Sequence, residues 1–190
     1  MLNVEIIKSN SYKDIKKTIP VILEKYGHLF PTSKEAKILL KPNLNANMNA
    51  LTGNTTDLRL LAAVIEYLKS KGYHYIAIGE GTNSGYYRNN ISVISRLKVD
   101  RLAKSFGLKI IDLNYSKPVY INFEKGVKAG IAKEVMEADL FINMPKLKTH
   151  FEAGMSVCLK NLMGCLVGQE NKKKTHKNLA KNILNINEYI

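Results

Sequence analysis

Four short apolar segments, separated by helical patterns, most constrain what this chain can fold into. They read KILLKPN, YIAIGEG, LKIIDLN and LFINMPK, and they begin at residues 37, 75, 108 and 140. Continuous apolar runs of this length are typical of strands buried on both faces, as in parallel sheets. Amphipathic patterns lie between them, the clearest being TTDLRLLAAVIEYLKSKG. The alternation predicts an α/β fold: a mostly parallel open sheet with helices on both faces.

Weaker patterns complete the predicted secondary structure. We expect strands in NVEIIKS and VYINFE, and helices in AGIAKEVMEAD, MSVCLKNLMGCLVG and THKNLAKNILNINEYI. No internal repeat or linker is visible, so a single α/β domain over residues 1–190 is predicted. The last helical pattern has no stop signal and ends on Ile190, so we expect the domain to be incomplete at its C-terminus.

The charge balance is strongly basic, with 29 Lys and Arg against 16 Asp and Glu, a formal charge of +13. Such an excess favours an anionic partner; the alternative is a solvated basic surface, since most lysines are scattered. The run NKKKTHK could contact phosphates, and Tyr86 and Tyr87 beside Arg88 could stack on a base. Aromatic residues do not interleave with the basic run, so sequence-specific nucleic-acid binding is not predicted.

The sequence shows no sign of a membrane or secretory segment. No apolar run reaches the roughly 18 residues that a membrane helix needs. The N-terminus, MLNVEIIKSN, lacks the basic region and long apolar stretch of a secretory signal. We therefore expect a cytoplasmic protein that does not enter a membrane.

Cysteine usage limits the cofactors that this chain could hold by itself. Cys158 and Cys165 are the two cysteines, and at a spacing of seven they would share one face of a helix. Two thiols cannot supply the four-cysteine set of a cluster or a zinc site, so an iron–sulfur cluster is not predicted here. We expect two buried thiols in a reducing compartment.

Polar and charged residues follow the carboxyl ends of the predicted strands. Lys41 and Asn43 follow one strand, Glu80 another, and Lys148 and His150 a third. Ligands of open α/β sheets sit beyond the carboxyl ends of the strands, so these residues are expected to converge. The predicted ligand-binding set is Lys41, Asn43, Glu80, Lys146, Lys148, His150, Lys160 and Asn161.

Each residue type suggests a role at such a site. Lys146 and Lys148 would hold negative charge. His150 would be a metal ligand or a proton carrier, and Glu80 a base or a second metal ligand, which makes His150, Glu80 and Lys148 the catalytic candidates. Lys160 lies in an apolar segment, where it would either pair with Glu80 or a bound anion, or extend its amine to solvent. No nucleophile–base pair is legible, so no reaction is predicted.

Four motifs resemble one known family when they are taken together. LLKPNL, IAIGEG, ADLFINMPKLKTH and CLKNLMGCLVG occur here in the order seen in the family called domain of unknown function 362, over residues 37–176. The resemblance implies an iron–sulfur-associated family, because many members carry a ferredoxin-type cysteine module, which this sequence lacks. It also implies a ferredoxin-type partner, and a family sequence that continues past the point matching Ile190.

Two functional hypotheses follow from these patterns. The first is a domain that binds an anionic ligand or cofactor, with or without a metal ion, in a redox-related role. The second is a truncated, non-catalytic interaction module that forms a homo-oligomer or binds a protein partner through the face of Leu179 and Ile183. Whether the chain is an enzyme stays open at this point.

Overall fold

The computed structural model describes residues 4–83, 92–123 and 126–190, so Tyr86, Tyr87 and Arg88 lie outside the described residues. The strands within these ranges are β1 (Ile38–Pro42), β2 (Ile76–Glu80), β3 (Lys109–Asp112), β4 (Pro118–Asn122), β5 (Lys128–Ala132), β6 (Leu140–Met144), β7 (Lys148–His150) and β8 (Gly154–Ser156). The helices are α1 (Tyr12–Lys25), α2 (Leu58–Ser70), α3 (Val93–Arg96), α4 (Val99–Ser105), α5 (Lys133–Met136), α6 (Cys158–Asn161), α7 (Gly168–His176) and α8 (Leu179–Asn187). Short 3-10 turns cover Gly27–Leu29, Ala50–Thr52, Leu113–Tyr115 and Leu162–Cys165.

A parallel sheet organises the chain, and within the described ranges its strand order is β3–β2–β1–β6. Leu40 of β1 lies opposite Ile78 of β2 and Ile142 of β6. The four apolar segments of the sequence form these four strands. The predicted α/β fold with a mostly parallel sheet is therefore confirmed.

Alternate residues of the central strand β1 enter two separate cores. Ile38 and Leu40 pack into a core shared with α1, α2, α3 and α4, whereas Leu39 packs into a second core. The second core is built from the β4–β5 hairpin, α5, the 3-10 turn 162–165 and α8. Because successive side chains of a strand point to opposite faces, the apolar run Ile38–Leu40 of β1 fills both cores. Helices thus lie on both faces of the sheet, as predicted.

The strand order reverses beside β1. The chain moves from β1 to β2 and β3 on one side, and β6 returns to the other side of β1. Such a reversal leaves a crevice at the carboxyl ends of the strands, where ligands of open α/β sheets bind. The loops that follow β1, β2 and β6 all emerge at this edge.

The predicted N-terminal strand is wrong. Residues 4–10 form no strand, and Val4 and Ile6 are 89% and 95% exposed. A strand gains its stability from a paired neighbour and a covered face, and this segment has neither in the described structure. Three apolar residues in a short run were too weak a pattern to identify a strand.

The helix predicted in AGIAKEVMEAD is mostly wrong as well. Ala129–Ala132 belong to β5, which pairs antiparallel with β4, and only Lys133–Met136 are helical. Small residues suit this pairing, because a side chain at Gly130 would collide with Pro118 across the hairpin. Pairing with a segment ten residues away thus overrides the local helical pattern.

The cysteine segment and the C-terminal segment are each more divided than predicted. MSVCLKNLMGCLVG forms β8, α6 and a 3-10 turn rather than one helix, so Cys158 is exposed and only Cys165 is buried. Burial raises the pKa of the Cys165 thiol to about 12, which keeps it protonated. The last predicted helix is interrupted between α7 and α8.

Helix lengths and compositions also bear on the membrane expectation. Among the described residues, none of the helices combines the length and the apolar character that crossing a bilayer requires.

The central position of β1 yields a stability prediction. Leu40→Ala should lower the free energy of unfolding by about 2–5 kcal/mol, because Leu40 is fully buried and its truncation leaves a cavity. Chemical denaturation measures the change. Leu51→Ala is the matched control, since Leu51 is 84% exposed and its truncation should cost less than about 0.5 kcal/mol. Equal effects of the two substitutions would contradict the described core.

Candidate functional site

A buried ion pair lies at the carboxyl ends of the two central strands. Lys41 is the penultimate residue of β1 and Glu80 is the last residue of β2. Lys41 Nζ lies 2.7 Å from Glu80 Oε1. Both side chains are almost completely buried, at 0% and 4% exposure. Buried charges are tolerated in proteins only when they are paired and hydrogen-bonded, so this arrangement demands further partners.

Backbone groups supply those partners to Glu80. Its Oε1 accepts a hydrogen bond from the Gly81 N–H at 2.8 Å, and its Oε2 accepts one from the Leu44 N–H at 2.8 Å. Both carboxylate oxygens therefore bind the protein itself. The sequence prediction of Glu80 as a base or metal ligand did not foresee this anchoring role.

Asn161 completes the surroundings of Lys41. Lys41 Nζ donates to Pro42 O at 2.8 Å and to Asn161 Oδ1 at 3.2 Å. Asn161 Nδ2 in turn donates to Asn143 Oδ1 at 2.8 Å and to Lys41 O at 3.3 Å. The buried amide thus fastens α6 to β1 and β6 at the sheet edge.

Two glycines let the backbone approach these charges. A Cβ at Gly164 would collide with Glu80 Oε1 and lie 2.8 Å from Lys41 Nζ. A Cβ at Gly81 would lie 2.6 Å from Gly164 O and 2.9 Å from Lys172 Nζ. The glycine of LKNLMG and the second glycine of GEG are therefore required by close packing against the ion pair.

A cavity of about 370 Å³ opens above the ion pair. Six predicted site residues help to line it: Asn43, Glu80, Lys148, His150, Lys160 and Asn161. The other lining residues are Asn45, Gly81, Thr82, Asn83, Ser156, Met163, Gly164, Gln169, Glu170, Lys172, Lys173 and His176. The structure therefore brings these six residues together at the carboxyl edge of the sheet.

The spacing of Lys148 and His150 has a structural cause. Both belong to β7, and residues two apart on a strand share a face, here the face toward the cavity. Lys148 Nζ donates to Asn54 O at 2.7 Å and to Asn54 Oδ1 at 3.2 Å. Burial lowers the pKa of Lys148, and the Glu80 carboxylate partly opposes that shift.

The turn after β7 fixes the protonation of His150. Its Nδ1 accepts backbone N–H bonds from Glu152 and Ala153, each at 3.1 Å. An imidazole nitrogen that accepts carries no proton, so the proton of the neutral ring sits on Nε2. Burial lowers the pKa of His150, with a further contribution from Lys160, which favours the neutral form. His150 is thus arranged as a neutral Nε2–H donor.

Lys160 is half-buried in the cavity wall. Within the described ranges its amine has no hydrogen-bond or ion-pair partner. Burial lowers the pKa of Lys160; Glu152 opposes the shift and Lys148 adds to it. The carboxylate that acts on the pKa of Lys160 is Glu152. Glu80, one of the counter-charges considered for Lys160, is paired with Lys41 instead.

The sequence prediction missed Lys172, a buried lysine on α7. Its Nζ donates to Gly81 O and Thr82 O, each at 3.0 Å, and to Asn114 Oδ1. Burial lowers the pKa of Lys172 to about 8. The run NKKKTHK was considered for phosphate contacts, but Lys172 and Thr175 recur at helical spacing on α7 and both are buried. That period was the signal that could have identified Lys172.

Lys146 lies apart from the other predicted site residues. It is not among the residues that line the cavity. Its charge instead acts on Asp57, whose pKa is lowered first by a hydrogen bond from Arg59 and to a lesser degree by Lys146. In the described part of the chain, no three His, Cys, Asp or Glu side chains come together as a metal-ligand group.

Fold and site together define a class: an open parallel α/β domain with a buried Lys–Glu pair beneath a basic cavity at the carboxyl edge of the sheet. The chain belongs to the family described as Domain of unknown function (DUF362), whose model matches residues 38–190. All four motifs identified in the sequence contribute residues to that match.

One curated relative is Thylakoid-associated protein sll1697 of Synechocystis sp., which is 26% identical over 185 residues. The alignment covers 88% of this chain and 51% of the relative. The chain therefore spans about half the length of the curated relative that it matches.

Breaking the buried ion pair should be costly. We expect Glu80→Gln to lower the free energy of unfolding by about 3–5 kcal/mol, because it leaves the Lys41 charge buried without its counter-ion. Lys41→Met combined with Glu80→Gln should recover part of that loss, since no unpaired charge then remains. Denaturant titration of the four proteins of this double-mutant cycle measures the coupling.

The control for this cycle is Glu137→Gln, which breaks the exposed Lys133–Glu137 pair. Its expected cost is below about 1 kcal/mol. If the loss of stability in the double variant equalled the sum of the losses in Lys41→Met and Glu80→Gln, Lys41 and Glu80 would not be energetically coupled.

Close packing at Gly164 yields a separate prediction. Gly164→Ala should destabilise the fold by about 1–3 kcal/mol, because the added methyl group displaces the Glu80 carboxylate. Thermal unfolding detects the change as a lower Tm. Gly27→Ala is the matched control, since a Cβ there meets nothing within 4 Å. If both variants had the same Tm, the close approach at Gly164 would be refuted.

Proposed function

We propose that this domain binds a small anion, a phosphate or carboxylate group, in the cavity at the carboxyl edge of the sheet. The observation that carries the proposal is the position of Lys148 and Lys160, two half-buried cations that line the same cavity. Partly buried ammonium groups are stabilised by an opposite charge, and a bound anion would supply it.

The balance of charge around the cavity supports an anion rather than a cation. Four lysines line it, namely Lys148, Lys160, Lys172 and Lys173, against the carboxylates of Glu80 and Glu170. Glu80 is already neutralised by Lys41 beneath the cavity floor. The wall therefore carries an excess of positive charge in a partly desolvated space, where electrostatic attraction is stronger than in bulk water.

His150 contributes direction rather than charge. With Nδ1 occupied by two backbone N–H groups, its Nε2–H donates from the cavity wall. A neutral donor in the same cavity wall as Lys148 and Lys160 suits a ligand oxygen that needs a hydrogen bond. In the proposed function His150 is therefore a hydrogen-bond donor, and not the metal ligand or proton carrier that the sequence suggested.

Other sequence hypotheses stay predictions. A metal ion, a redox role, a ferredoxin-type partner and catalysis are not part of the proposal. The interaction-module hypothesis relied on Leu179 and Ile183, and both side chains pack in the second core of their own chain. A dimer face formed by these two residues would require that core to open.

Inorganic phosphate provides the test of anion binding. We expect Lys148→Gln and Lys160→Gln each to weaken phosphate binding about tenfold, since charge-assisted hydrogen bonds contribute about 1.5–3 kcal/mol. Isothermal titration calorimetry measures the affinity. Lys104→Gln, at an exposed lysine of α4, is the matched control and should bind phosphate like the wild type.

The pH dependence of binding is a second readout of the same experiment. Burial lowers the lysine pKa values, so Lys148 and Lys160 lose their protons at a lower pH than the ordinary 10.5. Phosphate affinity should therefore begin to fall below pH 10.5 as the pH rises. Unchanged affinity in both glutamine variants, or equal loss in Lys104→Gln, would refute the site.

A further inference from the structure

The β7–β8 hairpin carries three exposed large apolar side chains beside the basic cavity. Leu147 is 68% exposed, Met155 is 60% exposed and Phe151, at the turn, is 97% exposed. Single exposed apolar residues are common on protein surfaces and need no explanation. Of the three, Phe151 contacts a residue of the cavity wall.

Phe151 is joined to the cavity through His150. The two rings stack with centroids 4.9 Å apart and an angle of 17° between their planes. His150 lines the cavity, whereas Phe151 lies just beyond the rim and exposes most of its ring to solvent. An aromatic surface therefore continues outward from the place where the anion is proposed to bind.

The opposite side of the hairpin lacks this relation. Thr149 pairs with Met155 across the two strands, and both are exposed on the side away from Lys148 and His150. Leu147 precedes β7 and also lies outside the set of cavity-lining residues. Phe151 is thus the apolar group of the hairpin that a ligand extending out of the cavity would meet.

We propose that the ligand of this site is a nucleoside phosphate, whose phosphate lies in the cavity and whose base stacks on Phe151. The inference rests on the proposed anion-binding function and adds the chemical class of the ligand. Stacking of a base on an aromatic side chain is favourable and tolerates any base, because every base has a π face.

Charge complementarity selects this occupant over an apolar partner. Lys148 and Lys160 line the same cavity as the His150 imidazole, which stacks on Phe151. Positive charge and an exposed aromatic face therefore lie next to each other at this site. A nucleoside phosphate carries the matching pair of groups, an anion and a planar ring, separated by a sugar. A purely apolar partner would leave the adjacent cavity charges without a counterpart.

Three ligands of increasing size separate the contributions: inorganic phosphate, ribose 5-phosphate and AMP. We expect AMP to bind wild-type protein about tenfold more tightly than ribose 5-phosphate, because only AMP carries a base. Phe151→Ala should abolish that tenfold difference while leaving phosphate affinity unchanged. Phe151→Tyr should preserve it, since the aromatic face remains. Calorimetric titration measures these affinities. Thermal unfolding of each variant shows that it is folded.

Met155→Ala is the matched control on the other side of the hairpin and should bind AMP like the wild type. Equal affinities of wild-type protein for AMP and ribose 5-phosphate would overturn the nucleoside inference and leave anion binding intact. Loss of AMP binding to the same extent in Met155→Ala would also overturn it, because the hairpin would then act as a general apolar surface. Failure of inorganic phosphate to bind would instead refute the proposed function itself.

Discussion

The buried Lys41–Glu80 ion pair is the interaction on which the carboxyl edge of this sheet depends. Two charges can remain inside a protein only if every donor and acceptor around them is satisfied, and here the partners come from separate parts of the chain. Leu44 and Gly81 hold the carboxylate, while Asn161 holds the amine. The loops after β1 and β2 and the helix α6 must therefore be in place together, because each supplies a partner to the same ion pair.

The same pair also decides the polarity of the space above it. With Lys41 placed beneath Glu80, the carboxylate has no remaining charge to offer a cation in the cavity. The lysines of the lining, Lys148 and Lys160 among them, then give the cavity wall an excess of positive charge. Lys172 reinforces this arrangement by binding the carbonyls of Gly81 and Thr82, so the loop after β2 turns its acceptors toward a protein amine.

The sequence predicted the main sheet because four apolar runs carried a two-sided burial pattern, and it predicted convergence because strand ends in a parallel sheet share an edge. It could not predict the pairing of β4 with β5, since Ala129–Ala132 are locally compatible with helix or strand and the pairing with β4 decides between them. Nor could it assign Glu80, because a buried carboxylate and a catalytic one read alike until the neighbour is known. Lys172 was missed because its burial depends on a helix that packs against the loop after β2.

The two backbone bonds to His150 Nδ1 give the hairpin turn control over a proton. While the turn is closed, these two bonds hold the proton of the neutral ring on Nε2; opening of the turn would release Nδ1 and allow the proton to move there. The nitrogen of His150 that carries the proton is therefore set by backbone N–H groups of the turn rather than by neighbouring side chains. The tautomer of His150 becomes an internal reporter of whether the hairpin is folded, readable without any ligand.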